Sequence, residues 1–133
     1  MPEFSATSAG RLATCHTDLQ KLFCEVIKHF DCAVLEGHRS QETQDRYFRE
    51  GKSKLPWPQG KHCSKPSRAV DVAPYVTGHA SYDVKHCLYF AGFVMGIANQ
   101  MGIKVRWGGD WDGDNEAMTD QTFQDLVHFE LEG

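Results

Sequence analysis

Apolar residues recur at helical spacing in two stretches of the chain and predict its two main helices. The first covers about residues 17–31, and the pair Thr17 and Gln20 fits a capping box at its start. The second and longer helix covers about residues 84–102 and ends near a glycine. A third, mostly polar helix is predicted at 40–50, between a serine that can cap it and a following glycine.

Four short segments that alternate between apolar and polar residues, or are continuously apolar, predict strands. These segments are residues 32–36, 68–73, 103–107 and 126–131. The stretch 52–68 carries three prolines and is expected to be a loop. Strands mixed with helices, without repeats or linkers, predict an α+β fold with a small, mainly antiparallel sheet flanked by helices. The 133 residues suit one domain spanning 1–133.

Composition removes several classes of function. The net charge of −4 argues against nucleic acid as a partner and against binding to anionic lipid. No apolar run is long enough to span a membrane, and the first residues lack the pattern of a signal peptide. The five cysteines are odd in number and lack CxxC spacing. Cys15, Cys24 and Cys87 fall in segments interpreted as helices, so we expect buried thiols in a protein made in a reducing cytoplasm.

Two predicted strands contain a polar residue where an apolar one would be ordinary. Asp71 interrupts the run AVDVAP, and His128 lies between Val127 and Phe129. Each has a plain explanation, since the aspartate could face water and the histidine could be a hydrogen-bonded structural residue. A further histidine, His62, lies in the polar loop. Together the three side chains offer two imidazoles and one carboxylate, which leave one position of a tetrahedral zinc ion for water.

Five segments resemble, in the same order, the motifs of the zinc-dependent D-alanyl-D-alanine-type metallopeptidases. They are EGHRSQETQ (36–44), GKSK (51–54), HCSKPSRAVDVAP (62–74), RWGGDWDGD (106–114) and FQDLVHFEL (123–131). More specifically, they are similar to the phage endolysins that cleave the L-alanyl-D-glutamate bond of peptidoglycan. The resemblance implies a hedgehog/D-Ala-D-Ala-peptidase-like zinc fold and a peptidoglycan stem peptide as substrate.

The resemblance also implies roles for five residues. His62, Asp71 and His128 are the expected zinc ligands. Asp125 is the expected base that activates water and returns the proton to the leaving amine, and Arg39 is expected to orient substrate and stabilise the oxyanion. Without the resemblance, Arg39 would be interpreted as part of a surface salt bridge.

The sequence departs from its relatives at Gly60, where many of them have a serine, and this affects the expected positioning of substrate. Cys63 follows a ligand histidine, but its side chain is expected to point away from the metal. Residues Trp107, Gly108, Gly109 and Trp111 are expected to shape one wall of the groove or, equally, to form a tight turn with aromatic packing, and Asp110 is a candidate partner for a ligand histidine.

Asp110, Asp112 and Asp114 alternate like the start of a calcium-binding loop, which suggests an auxiliary calcium ion. Asn115 and Gln121 stand where an EF-hand needs glycine and glutamate, so an EF-hand is not expected.

Two other functions stay open at this stage. One is a D-alanyl-D-alanine carboxypeptidase or dipeptidase with the same metal site, and the other is a zinc-binding module without catalysis. The retained Asp125 and Arg39 argue against the second. We expect a monomer without a separate cell-wall-binding domain. We also expect it to collect in the host bacterial cytoplasm and to reach the wall after release by a holin, which causes host lysis.

Overall fold

The computed structural model describes residues 2–53, 55, 57–111, 113 and 125–133. Within these ranges the helices are α1 (Ala6–Leu12), α2 (Thr17–Val26), α3 (Gln41–Arg49) and α4 (Val84–Met101). The strands are β1 (Cys32–Glu36), β2 (Ala69–Val76), β3 (His79–Ala80), β4 (Val105–Gly108) and β5 (Asp125–Leu131). A short 3₁₀ turn, Lys61–Cys63, precedes β2.

The strands form a sheet in the order β1-β2-β5-β4, and β3 pairs with the end of β2. All of these strand pairs are antiparallel. The predicted α+β fold with a small antiparallel sheet is therefore confirmed. None of the described helices is both long and apolar enough to cross a membrane.

The core lies between one face of the sheet and the helices α2 and α4. Three fully buried phenylalanines meet there, one from α2, one from α4 and one from β5: the ring of Phe129 lies 5.5 Å from that of Phe23 and 6.2 Å from that of Phe90. Val70 and Val72 of β2 join the same cluster. Since side chains alternate along a strand, Asp71 and His128 belong to the opposite face of the sheet. That face carries the polar site.

The helix ends confirm two of the predictions made from capping residues. The hydroxyl of Ser40 accepts a hydrogen bond of 3.2 Å from the backbone N–H of Thr43, and so caps α3. The helix α4 ends at Gly102, whose φ of 73° lies in the left-handed region where glycine is favoured.

Other predicted boundaries were wrong. The helix α1 was not predicted, and α2 is capped by His16, whose ring accepts a hydrogen bond of 3.1 Å from the N–H of Asp18. The side chain of Gln20 instead donates to the carbonyl of Cys15 at 2.8 Å, so the capping box does not form. Strand β2 continues through Pro74 to Val76 and turns into the unpredicted β3.

The cysteines are all free thiols. Cys87 is buried in α4 as expected, but Cys15 lies between α1 and α2 and not in a helix. Cys24 is exposed, so its predicted burial was wrong. Burial raises the pKa of the Cys15 thiol to about 11 and that of the Cys32 thiol to about 12, which makes both unreactive near neutral pH.

Candidate metal centre

Strand pairing brings Asp71 and His128 together. The two residues are directly opposite in the register of β2 and β5. The carboxylate oxygen Oδ1 of Asp71 lies 3.2 Å from Nδ1 of His128. Both side chains are largely buried, with 15% and 11% of their surface exposed. Two polar residues that were unusual in separate strands are thus explained by a single contact between them.

His62 reaches the same oxygen from the 3₁₀ turn. Its Nε2 lies 3.1 Å from Oδ1 of Asp71, and its Nδ1 is 2.8 Å from the carbonyl oxygen of Gly37. The backbone carbonyl of His62 also accepts a hydrogen bond of 2.7 Å from the N–H of Arg39. The turn is therefore fixed to the segment after β1 by its backbone and by its imidazole.

Sequence reasoning did not identify Gly37, whose carbonyl holds the ring of His62. A Cβ atom at this position would lie 2.3 Å from Oγ1 of Thr14 and 2.4 Å from the carbonyl oxygen of Arg11. Neither distance is tolerated, so the close approach of these segments requires glycine. The glycine in the segment EGHRS was the available signal.

The electrostatics of the three side chains depend on their mutual contacts. Burial by itself would raise the pKa of the Asp71 carboxyl, but hydrogen bonds from His128 and His62 outweigh it and hold that pKa well below its usual range. Burial would likewise lower the pKa of His128, but its bonds to Asp71 and Glu130 raise that pKa to about 9. The carboxylate thus stays ionised and attracts positive charge to this point.

The same three side chains could hold a metal ion. One ligand atom from each lies within 4.8 Å of the other two. In a tetrahedral zinc site, bond lengths of about 2.0–2.2 Å place neighbouring ligand atoms about 3.4 Å apart. The two distances of 3.1 and 3.2 Å from the Asp71 oxygen are close to that value. The donor set therefore fits a metal such as zinc.

Arg39 lies beside this cluster and is not a residue of the open surface. Its guanidinium Nη2 is 4.0 Å from Oδ2 of Asp71, and its side chain is 12% exposed. The Nε–H donates to Glu36 at 2.8 Å, and Nη1–H donates to Gln44 at 2.8 Å. The face of the guanidinium also lies 4.8 Å from the centre of the Tyr47 ring. These contacts fix the charge in one orientation at the edge of the cleft.

Asp125 is the first residue of β5 and lines the same cleft as Arg39, His62 and His128. Burial raises the pKa of its carboxyl, and the negative charge of Asp71 raises it further. Gly108 of β4 is its register partner, and a Cβ there would lie 1.9 Å from the Asp125 carbonyl oxygen. Glycine at 108 is therefore needed to let the backbone that carries Asp125 approach β4.

Glu130 is a second residue that sequence reasoning left without a role. It follows His128 by two positions in β5, so both side chains lie on the same face of the sheet. Its Oε1 lies 2.9 Å from Nε2 of His128, and its Oε2 lies 3.2 Å from Nζ of Lys61. The imidazole is consequently held at both nitrogens, by Asp71 at Nδ1 and by Glu130 at Nε2. A carboxylate behind a ligand histidine orients the ring and increases its donor strength.

The aromatic residues after β4 divide between core and cleft. Trp111 lines the cleft, and its ring lies 5.3 Å from that of His128. Trp107 is 5% exposed and belongs to the core, where its indole N–H donates to the carbonyl of Leu126 at 2.9 Å. Gly109 packs under that indole, because a Cβ there would lie 2.2 Å from the ring. Of these three residues, which were predicted to shape a wall of the groove, Trp111 is the one that lines the cleft.

Most residues of the suggested calcium site lie outside the described part of the chain. Asp112, Asp114, Asn115 and Gln121 lie outside the described residues. Nothing in the described part of the chain supports a calcium ion.

Two residues close to His62 in the sequence, Cys63 and Gly60, have no direct part in the cluster. Cys63 is buried, and its thiol is not among the ligand atoms that converge on Asp71. Burial also raises the pKa of that thiol, which disfavours the thiolate form that binds metals. Gly60 lines the cleft with φ of −74°, a conformation open to any residue.

Comparison with known proteins connects this geometry to a family. Residues 2–132 match the family described as phage L-alanyl-D-glutamate peptidase. The L-Ala D-Glu endopeptidase ChiX of Serratia marcescens, known from a crystal structure, is 27% identical with a TM-score of 0.78, over 98% of this chain and 90% of ChiX. The chain also shares its fold with the D,D-dipeptidase VanXYg, solved in complex with a D-Ala-D-Ala phosphinate analogue. That protein is 16% identical with a TM-score of 0.50, over 88% of this chain and 48% of VanXYg. No curated protein matches the sequence significantly.

Proposed function

This chain belongs to the phage L-alanyl-D-glutamate peptidase family and is an enzyme that cleaves peptide bonds of peptidoglycan, and from that premise we propose how it does so. Its catalytic centre is a zinc ion held by His62, Asp71 and His128. The observation that carries this proposal is the convergence of both imidazoles on one oxygen of Asp71, at the base of a cleft that Asp125 and Arg39 also line. The bond hydrolysed is that between L-alanine and D-glutamate of the stem peptide.

When bound, zinc supplies two effects, since it lowers the pKa of a water molecule and polarises the scissile carbonyl. Asp125 takes the proton from the attacking water and delivers it to the leaving amine. Its position at the start of β5, partly buried beside the ligand cluster, supports this role because an elevated carboxyl pKa favours proton transfer in both directions.

Arg39 stabilises the negative charge that develops on the carbonyl oxygen of the substrate. The guanidinium stays ionised at all relevant pH values, and its contacts with Glu36 and Gln44 fix its direction before substrate binds. Such preorganised charge is effective because it needs no rearrangement during the reaction.

The wider biological role follows as part of the proposal. The enzyme acts as a monomeric endolysin, gains access to the wall after holin release, and causes lysis of the host. The test of this part is the loss of turbidity of cells with a permeabilised outer membrane, with chelator-treated protein as the control.

The activity itself is tested on purified muropeptides whose fragments are identified by mass spectrometry. We expect cleavage between L-alanine and D-glutamate. Release of terminal D-alanine would instead assign the carboxypeptidase or dipeptidase function, and the absence of any cleavage by zinc-loaded protein would assign the non-catalytic module.

Two substitutions test the assigned residues. Asp125→Ala should keep its zinc and lose roughly 10²–10⁴-fold in rate, whereas His128→Ala should lose zinc, measured by elemental analysis. His79→Ala serves as the control, because His79 is an exposed histidine of β3. Full activity of Asp125→Ala would remove that residue from its role.

A further inference from the structure

The amide of Gln44 is buried in a helix that is otherwise strongly polar. Gln44 is 1% exposed, while its helix α3 has the sequence QETQDRYFR and presents most of its other residues to solvent. A primary amide is costly to bury unless its oxygen and nitrogen are both hydrogen-bonded. The contacts of this one side chain are therefore informative.

Gln44 connects the guanidinium of Arg39 to a wall of the cleft. Its Oε1 accepts the bond of 2.8 Å from Nη1–H of Arg39, and its Nε2 donates to Oγ of Ser53 at 2.9 Å and to the carbonyl of Leu55. The orientation of the amide is unambiguous, because a guanidinium can only donate and a carbonyl can only accept. Ser53 and Leu55 both line the cleft.

The two ends of the Arg39 guanidinium are held by different elements. Glu36, at the end of β1, accepts from both Nε and Nη2, and Gln44, in the first half of α3, accepts from Nη1. Without Gln44 the guanidinium would be held at Nε and Nη2 by a single oxygen of Glu36 and by stacking on Tyr47, because no other hydrogen bond of the described residues holds Nη1. A misplacement of about 1 Å in a catalytic group can cost about 100-fold in rate.

We propose that Gln44 is a positioning residue that couples the catalytic Arg39 to the cleft wall formed by Lys52, Ser53 and Leu55. Through its oxygen it fixes the direction of the guanidinium, and through its nitrogen it fixes the wall against which the stem peptide lies. The orientation of the charge and the width of the cleft are thereby set by the same amide. This inference rests on the proposed role of Arg39.

The test measures kcat and KM for muropeptide cleavage in zinc-loaded variants, together with zinc content. Gln44→Met keeps the length of the side chain and removes all of its hydrogen bonds, and we expect kcat/KM to fall about 10–100-fold with unchanged zinc content. Gln41→Met is the matched control, because Gln41 is an exposed glutamine one turn earlier in α3. Gln44→Glu keeps an acceptor for Arg39 and loses the donor to Leu55, so it should raise KM more than it lowers kcat.

A double-mutant cycle separates this inference from the function on which it depends. In an Arg39→Met background, Gln44→Met should have little further effect on kcat, since its partner is gone. An equal loss of kcat in both backgrounds would overturn the coupling. It would also be overturned if Gln44→Met were active while Arg39→Met was inactive. Full activity of Arg39→Met would instead overturn the proposed role of Arg39. If Gln44→Met fails to fold, the kcat and KM of Gln44→Glu decide, and a decrease confined to kcat would contradict the proposal.

Discussion

The contact between Glu130 and His128 leads to a quantitative prediction for Glu130→Gln. The carboxylate of Glu130 is 2.9 Å from Nε2 of His128, and its side chain is only 13% exposed. A hydrogen bond to a charged group contributes about 1.5–3 kcal/mol, against about 0.5–1.5 kcal/mol for a neutral one. Replacing the carboxylate by an amide of the same shape should therefore weaken the support of the ring by about 1–1.5 kcal/mol. Since 1.4 kcal/mol corresponds to tenfold, zinc should bind about tenfold more weakly.

The assay is a competition titration of the metal-free protein against a chromophoric chelator, which gives the dissociation constant of zinc directly. Glu132→Gln is the matched control, because it makes the same chemical change at an exposed position two residues further along. Thermal unfolding of both metal-free variants checks that the fold is intact. A dissociation constant for Glu130→Gln equal to that of Glu132→Gln would refute the reasoning.

Two further substitutions concern the backbone around the cleft. Gly108→Ala places a methyl group 1.9 Å from the Asp125 carbonyl oxygen, so it should lower the free energy of unfolding by about 1–3 kcal/mol and also lower activity. Gly96→Ala, in an open part of α4, should instead raise the free energy of unfolding by about 1 kcal/mol. Urea unfolding measures both variants, and equal stability would contradict the steric argument. Gly60→Ser should fold normally, because its Cβ would have no contact shorter than 3.7 Å, and should raise the free energy of unfolding by about 0.4–1 kcal/mol. A lower melting temperature for that variant would show that Gly60 is required.

Strand alternation made two of the three candidate ligands predictable. A polar residue between core residues in a strand must lie on the opposite face, and for both Asp71 and His128 that face is the cleft. His62 is different, because it lies in a loop where no periodicity exists, and its place in the site came from the resemblance to known peptidases. The α+β class and the helix ends at Ser40 and Gly102 also followed from local patterns.

The supporting residues could not be derived in the same way. Gln44 belongs to a helix whose composition predicts solvent exposure. Its amide is instead bonded to Ser53 and Leu55 beyond the end of the helix, where no periodic pattern predicts contacts. Gly37 is one of twelve glycines, and only the approach of Thr14 and Arg11 gives it a reason. Glu130 carried a partial signal, because alternation placed it beside His128. What was missing in each case was the identity of the partner.

The origin of each ligand determines how the site is assembled. Asp71 and His128 are brought together by the register of β2 and β5, so their separation is set by backbone hydrogen bonds that form with the sheet. His62 depends on the segment after β1, through the Gly37 carbonyl and the Arg39 N–H. Because β1 and β5 both pair with β2, the three ligand atoms converge only after the sheet has formed on both sides of that strand. A metal ion at this point therefore binds the folded chain and adds its binding free energy to folding.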